Sequence, residues 1–364
     1  MNITCKAIFF ALLFLLWACG SRVAEKETAR EDSVIQNSTK DSASIITDER
    51  SKNQINENNT TSKEKLNGNQ GKIDKLENNS KTDSVPTKST DTQISEATGK
   101  PKKDLVPLLP EMIKVKGGSF KMGSKDPEAK DDEVNIHEVS VDDFFIGKFE
   151  ITVAQFKSFV EATNYQTEAE KTGKSYIYTG SWKNMKGITW RHDARGNLRP
   201  ESEYDHPVIH VSWNDAMAYC NWLSEQTKKP YRLLTEAEWE FAARGGLQSK
   251  GYKYSGSNNI DETAWYIGSS QDKGTYPTGT KRPNELGIYD LSGNVYEWCA
   301  DWYDSEYYLN SPIQNPKGAE SGISRVVRGG SWHDTAEKNR VASRFNGNPS
   351  YCGYNIGFRV ARSQ

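Results

Sequence analysis

Two neighbouring stretches decide the reading of the fold, HPVIHVSWNDAMAYCNW (206–222) and RLLTEAEWEFAARGG (232–246). Each holds a hydroxyl residue followed three positions later by an acid, Ser212-x-x-Asp215 and Thr235-x-x-Glu238. In that spacing the hydroxyl takes a free N–H of a helix's first turn, and the acid reaches back to the N–H of the cap. Both stretches therefore predict helix starts. After Ser212, the residues Trp213, Ala216, Met217, Cys220 and Leu223 recur at helical spacing and form one apolar face. The HPVIH segment before them reads as a strand. His206 and His210 would share one of its faces, but four strand residues separate them by about 13 Å. They cannot hold one metal.

Working outward, Thr152-x-x-Gln155 is a third capping box, followed by Val153, Phe156, Phe159 and Val160 on one face. Further upstream, residues 112–122 alternate apolar and polar around Gly117-Gly118, a hairpin pattern, and 137–141 and 144–149 read as strands. After Glu240 the chain is rich in Gly, Asn, Pro, Trp and Tyr, which predicts short strands joined by long ordered loops. The fold class is α+β with much irregular loop.

The 364 residues divide unequally: of ten tryptophans only Trp17 precedes Trp182. Residues 8–17 form an apolar run too short to span a bilayer of about 30 Å, and it ends at Ala18-Cys19. Residues 1–18 thus read as a bacterial lipoprotein signal peptide with Cys19 as the acylated position. An ordinary cleaved signal peptide is the alternative. Residues 19–104 are Ser, Thr, Asn, Lys, Glu and Gln with hardly an aromatic, a composition that cannot offset the entropy of ordering. They read as a disordered tether reaching on the order of 50 Å, which leaves 105–364 as the folded domain. With 47 basic against 49 acidic residues, the charge balance gives no case for nucleic acid as a partner. These features predict a lipid-anchored protein of the cell envelope, on the outer membrane or periplasmic face, that meets the membrane through its anchor.

The motifs at 206–222 and 232–246, with PNELGIYDLSGNVYEW (283–298), NPKGAESGISRVVRGGSW (315–332) and NIGFRVA (355–361), resemble the formylglycine-generating enzymes, or sulfatase-modifying factors. So do YQTEAEKTGKS (165–175) and TWRH (189–192). The resemblance runs in order from about residue 110 to the C-terminus. It implies that family's variant of the C-type-lectin-like fold.

The resemblance also implies sites. Two cysteines after the GGS motif carry the family's copper and oxidation chemistry, and here those positions hold Asp334 and Asn339. A carboxylate or amide is not the soft thiolate that copper(I) selects, so no copper is expected and the resemblance does not carry the activity over. Trp332, His333 and Asp334, with Arg340, Arg344 and Asn346, would line a polar, aromatic cleft. Asp290, Gly293, Val295 and Glu297 match a loop that binds structural calcium through two side chains and two carbonyls. The plainer reading has Asp290 capping a turn and Glu297 paired with an arginine such as Arg328. Cys220 matches a cysteine whose family partner is replaced here by Val360; it is a small buried hydrophobe or, in an oxidising compartment, bridged to Cys352. Three functions stay open: a non-catalytic binding or scaffold module with a protein or peptide partner, an oxidoreductase of the parent type, and a ligand-display module with a variable C-terminal face.

Overall fold

The computed structural model describes residues 107–364. The signal peptide, Cys19 and the tether predicted from the sequence lie outside the described residues. In chain order the domain begins with β1 (Met112–Val115), β2 (Gly118–Met122), β3 (His137–Val141) and β4 (Phe144–Gly147). There follow α1 (Val153–Thr163), α2 (Glu168–Thr172), β5 (Lys174–Tyr178) and β6 (Trp182–Lys186). The centre of the domain holds α3 (Trp213–Thr227), β7 (Tyr231–Leu233) and α4 (Glu236–Ala243). The C-terminal part adds β8 (Tyr296–Trp302), β9 (Arg325–Arg328), β10 (Phe345–Gly347), β11 (Ile356–Gly357) and β12 (Val360–Ser363). The architecture is α+β, with long irregular segments between the short C-terminal strands.

One four-stranded sheet has the order β1–β4–β12–β7 and is antiparallel throughout, so the last strand of the chain lies between two early ones. A second has the order β10–β9–β8–β11, with a parallel step only at β11–β8. The three helix starts read from the sequence carry complete capping boxes at Thr152, Ser212 and Thr235. A fourth box, Thr167 with Glu170, opens α2 and went unread. The helix faces are as expected: Phe156 stacks on Tyr219 at 6.0 Å, and Phe159 meets Tyr219 edge-on at 5.7 Å. These aromatics join Trp190, Trp222 and Phe358 in one core cluster. Contacts of this kind contribute about 0.5–1.5 kcal/mol each beyond the area they bury.

Two local expectations are corrected. Residues 112–122 are not a hairpin: β1 pairs with β4, and β2 pairs with β3 from Gly118↔Val141 to Met122↔His137. Gly117 is where the chain passes from one sheet to the other, and a Cβ there would lie 2.3 Å from the Val141 carbonyl oxygen. The HPVIH segment is irregular rather than a strand. His210 has a φ of 61°, which turns its ring inward to Ser175 Oγ and the Asp193 carbonyl, each at 3.0 Å. His206 bonds Thr275 Oγ1 at 3.1 Å. Burial pushes the two imidazoles down to about 4 for His206 and about 3 for His210, so both are neutral hydrogen-bonding groups.

Helix α4 is tied to the rest of the domain by charge. Its Glu236 carboxylate takes Arg344 at 2.7 and 2.9 Å and Arg328 at 3.1 Å. Its Glu240 takes Arg328 at 2.5 Å and Arg244 at 2.7 and 2.9 Å. All but Arg244 are buried. Burial would raise the Glu236 carboxyl, but Arg344 and Arg328 outweigh it and hold it below the usual carboxylate range. A depressed folded pKa contributes stability above the unfolded pKa and loses it as pH falls through the folded value. We expect Arg344→Met to cost about 3–5 kcal/mol in urea denaturation, since it strips one partner from a buried carboxylate. The variant should also lose less additional stability on acidification below the ordinary glutamate range than the parent does.

Candidate functional site

Strand β9 ends in two left-handed glycines, Gly329 at φ 96° and Gly330 at φ 72°. The second is required by space as well, because a Cβ on Gly330 would sit 2.5 Å from Asn339 Oδ1. This turn delivers Ser331, whose hydroxyl donates to Asp334 in a short hydrogen bond. The other Asp334 oxygen receives Lys338 Nζ at 3.2 Å, one short helical turn further on. The Tyr296 hydroxyl also bonds Asp334, and burial first, then that carboxylate, pushes the phenol well above its usual range. Asn339 donates to the Thr335 carbonyl at 2.7 Å, while its buried Oδ1 has no hydrogen-bond partner. Positions 334 and 339 are thus inside the domain and built into its polar interior.

The other predicted cleft residues do not form one exposed patch. Trp332 is fully buried among Ala194, Ile209, Val295 and Tyr354, and its indole N–H donates to the Tyr354 carbonyl at 3.3 Å. Arg340 grips Glu133 at 2.7 and 3.1 Å, and Arg344 belongs to the α4 network. Asn346 lies apart on β10, half-buried opposite Val326. His333 is buried as well: its ring sits 3.9 Å from that of Tyr178 and bonds the more exposed Asp272 at 2.9 Å. Tyr296, Lys338, Tyr178 and Asp272 were not singled out from the sequence. Lys338 alone left a signal, standing four residues after Asp334.

The predicted calcium loop contains three left-handed residues, Asp290, Gly293 and Asn294, at φ 59°, 83° and 60°. Asp290 accepts from Gly279 N–H at 2.7 Å through one oxygen; its other oxygen is buried without a hydrogen-bond partner. Beside it Glu150 accepts from Asn294 at 2.9 Å and from Val295 N–H at 3.2 Å. Glu297 is held by Trp239 at 2.9 Å and by Arg359 at 2.7–3.1 Å. Its arginine is therefore Arg359, not Arg328, which is occupied with Glu236 and Glu240. Three buried carboxylates share this one guanidinium. Burial raises Asp290 to about 6, and burial with the charges of Asp290 and Glu297 raises Glu150 well above its usual range. An orphaned carboxylate oxygen in an oxygen-only loop with surplus negative charge fits a hard cation. Among the described residues no three His, Cys, Asp or Glu side chains group as a metal site, so an ion here would draw on the carbonyls of Gly293 and Val295.

Comparison with known proteins places this architecture. The family described as sulfatase-modifying factor enzyme 1-like domain matches residues 97–364. The chain belongs to that family. It is 36% identical over 284 residues to the formylglycine-generating enzyme of Bos taurus, covering 69% of this chain and 74% of the relative. The inactive C-alpha-formylglycine-generating enzyme 2 of Bos taurus is 34% identical over 282 residues, covering 69% and 87%. Among solved structures, PvdO from Pseudomonas aeruginosa superposes with a TM-score of 0.58 at 31% identity, covering 70% of this chain and 95% of that one. Treponema denticola variable protein 1 gives 0.56 at 27% identity with the same coverage.

Within the family frame, the serine after the glycine pair is present and the side chains at 334 and 339 are hydrogen-bonded into the interior. Asp334→Ala would strand Ser331, Tyr296 and the Lys338 ammonium together. Each buried polar group left unpaired costs about 1–3 kcal/mol, so we expect a loss of about 2–4 kcal/mol by thermal or urea unfolding. A surface-like change of under about 0.5 kcal/mol would show that the three groups find other partners.

Proposed function

We propose that this protein is a lipid-anchored, non-catalytic module of the cell envelope whose formylglycine-generating-enzyme-like domain binds a protein or peptide partner. The observation that carries the non-catalytic part is the chemistry at positions 334 and 339, where a carboxylate and an amide stand. Neither can hold copper(I) or form a mixed disulfide with a substrate thiol. The thiols among the described residues do not compensate. Cys220, Cys299 and Cys352 are buried and free, and burial pushes all three above the ordinary thiol range. A thiol held protonated in the interior is a poor ligand and nucleophile. The likeness to a relative named inactive points the same way.

The likeness to a variable protein favours a second reading, a ligand-display module whose C-terminal face varies. Burial weighs against it, because between Ser331 and Arg344 only Glu337 is fully exposed. A face that is to vary without unfolding the domain has to lie in solvent.

Incubation of the purified protein with copper, oxygen and a sulfatase-type cysteine peptide should give no aldehyde above a protein-free control in peptide mass spectrometry. Formation of aldehyde would overturn the non-catalytic reading and favour an oxidoreductase of the parent type.

Calcium in this reading is structural, held by the unpartnered oxygen of Asp290 with the carbonyls of Gly293 and Val295, while Glu297, expected as a fourth ligand, is engaged by Arg359 and Trp239. Binding to the native state alone adds about 2.7 kcal/mol at a hundredfold excess over Kd. A chelator should therefore lower the melting temperature of the parent and leave that of Asp290→Ala unmoved. Equal melting curves for the parent with and without chelator would remove the ion from this account.

A further inference from the structure

From Lys171 to His192 the chain carries Lys171, Lys174, Lys183, Lys186 and Arg191 and no acid, within a protein of net charge −2. Two of these cations are engaged locally: Lys171 with Glu168 at 3.4 Å and Arg191 with Glu170 at 2.6 Å. Lys174, Lys183 and Lys186 form no ion pair among the described residues. All three lie on the hairpin of β5 and β6, registered Lys174↔Lys186 and Tyr178↔Trp182. This hairpin is a separate two-stranded sheet, and β6 pairs with β5 alone. Every residue from 179 to 187 is exposed, including all five of β6.

Within β6 two apolar side chains stand in solvent among the lysines, Trp182 at 42% and Met185 at 41% exposure. Strand alternation puts Trp182 and Met185 on opposite faces, so neither face alone gathers them. Trp182 shares its face with Lys186 and Met185 shares the other with Lys183, and both faces of β6 are open to solvent because all five of its residues are exposed. Trp182 is also buttressed: its ring lies 5.8 Å from Tyr176, which stacks on Tyr351 at 5.4 Å. A tryptophan and a methionine interleaved with unpaired lysines on a projecting edge have the composition of an interfacial anchor. The indole prefers the headgroup level, and the ammonium groups meet anionic phosphates.

We infer that the β5–β6 hairpin docks edge-on against an anionic phospholipid surface, with Trp182 and Met185 entering the headgroup region and Lys174, Lys183 and Lys186 on the phosphates. This contact is distinct from an acyl anchor and does not require one. Where an acyl anchor is present, attachment to the same membrane supplies the local concentration at which a weak second contact is occupied. The contact would fix which face of the domain turns away from the membrane.

The test uses the chain from residue 19 onward carrying Cys19→Ala, so that neither an acyl group nor the apolar run at 8–17 contributes. We expect it to co-sediment with vesicles of phosphatidylcholine mixed with phosphatidylglycerol, but not with phosphatidylcholine alone, and to be released by high salt. Each lysine near an anionic surface is worth about a fivefold gain in partitioning, so Lys183→Gln with Lys186→Gln should lower it about thirtyfold. Brominated lipid should quench tryptophan emission in the parent and not in Trp182→Phe. All these side chains are exposed, so the variants should melt with the parent. Failure to sediment, or equal sedimentation with phosphatidylcholine alone, would overturn the inference. So would tight retention on a soluble polyanion that is indifferent to Trp182 and Met185, which would assign the basic edge to an anionic polymer.

Discussion

The domain hangs on two buried glutamates of α4 and the arginines that meet them. Glu236 and Glu240 alternate along α4 with the core residues Ala237, Trp239 and Phe241, and Arg328, Arg344 and Arg244 bring the compensating positive charge. Each arginine comes from a different part of the chain: Arg328 from β9, Arg344 from the loop before β10, Arg244 from the end of α4. Arg344 also donates to the Asp132 carbonyl, and Arg340 holds Glu133 from the same early loop. Long irregular segments are therefore fixed by charged hydrogen bonds rather than by strand ladders. A guanidinium suits this work because its five donors form a rigid planar fork, which can satisfy a carboxylate and a carbonyl at once.

The same scheme fixes the loop that follows the glycine pair. Here Asp334 is neutralised from inside the chain by Lys338 and hydrogen-bonded by Ser331 and Tyr296. The same loop carries Arg340 into the interior. The charged groups of this loop are thus paired with one another or with the interior, which holds the loop in place.

The helices were legible because their starts are written in adjacent residues: Thr152 and Gln155, Ser212 and Asp215, Thr235 and Glu238 each act within one turn. Short strands were not. β11 is two residues long and β10 three, too brief for any alternation to show. The hairpin expected at Gly117-Gly118 failed for a related reason, since alternation in 112–122 is real but belongs to two strands of different sheets. The cleft was misjudged on Arg340, Arg344 and Trp332, whose partners are remote. Arg344 meets an acid 108 positions away and Arg340 one 207 positions away, and nothing local distinguishes such an arginine from a surface one. The loop at 290–297 was the reverse case. Its residues were identified, but the decisive neighbours, Glu150 and Arg359, come from opposite ends of the domain.

Burial of this kind also bears on where function can reside. Nearly every charged group that looked available in the sequence is committed: Asp334 to Lys338, Arg340 to Glu133, Arg344 to Glu236, Glu297 to Arg359. Breaking one of these pairs to engage a ligand would expose an uncompensated charge in the interior, at a cost that few single contacts could repay. Recognition must then use groups that are not holding the fold. The β5–β6 hairpin is such a place, with three lysines that form no ion pair among the described residues and two exposed apolar side chains on its outer strand. A domain stabilised by interior charge pairs leaves its surface loops free to diverge, because few of their side chains are needed to keep the helices and sheets in place.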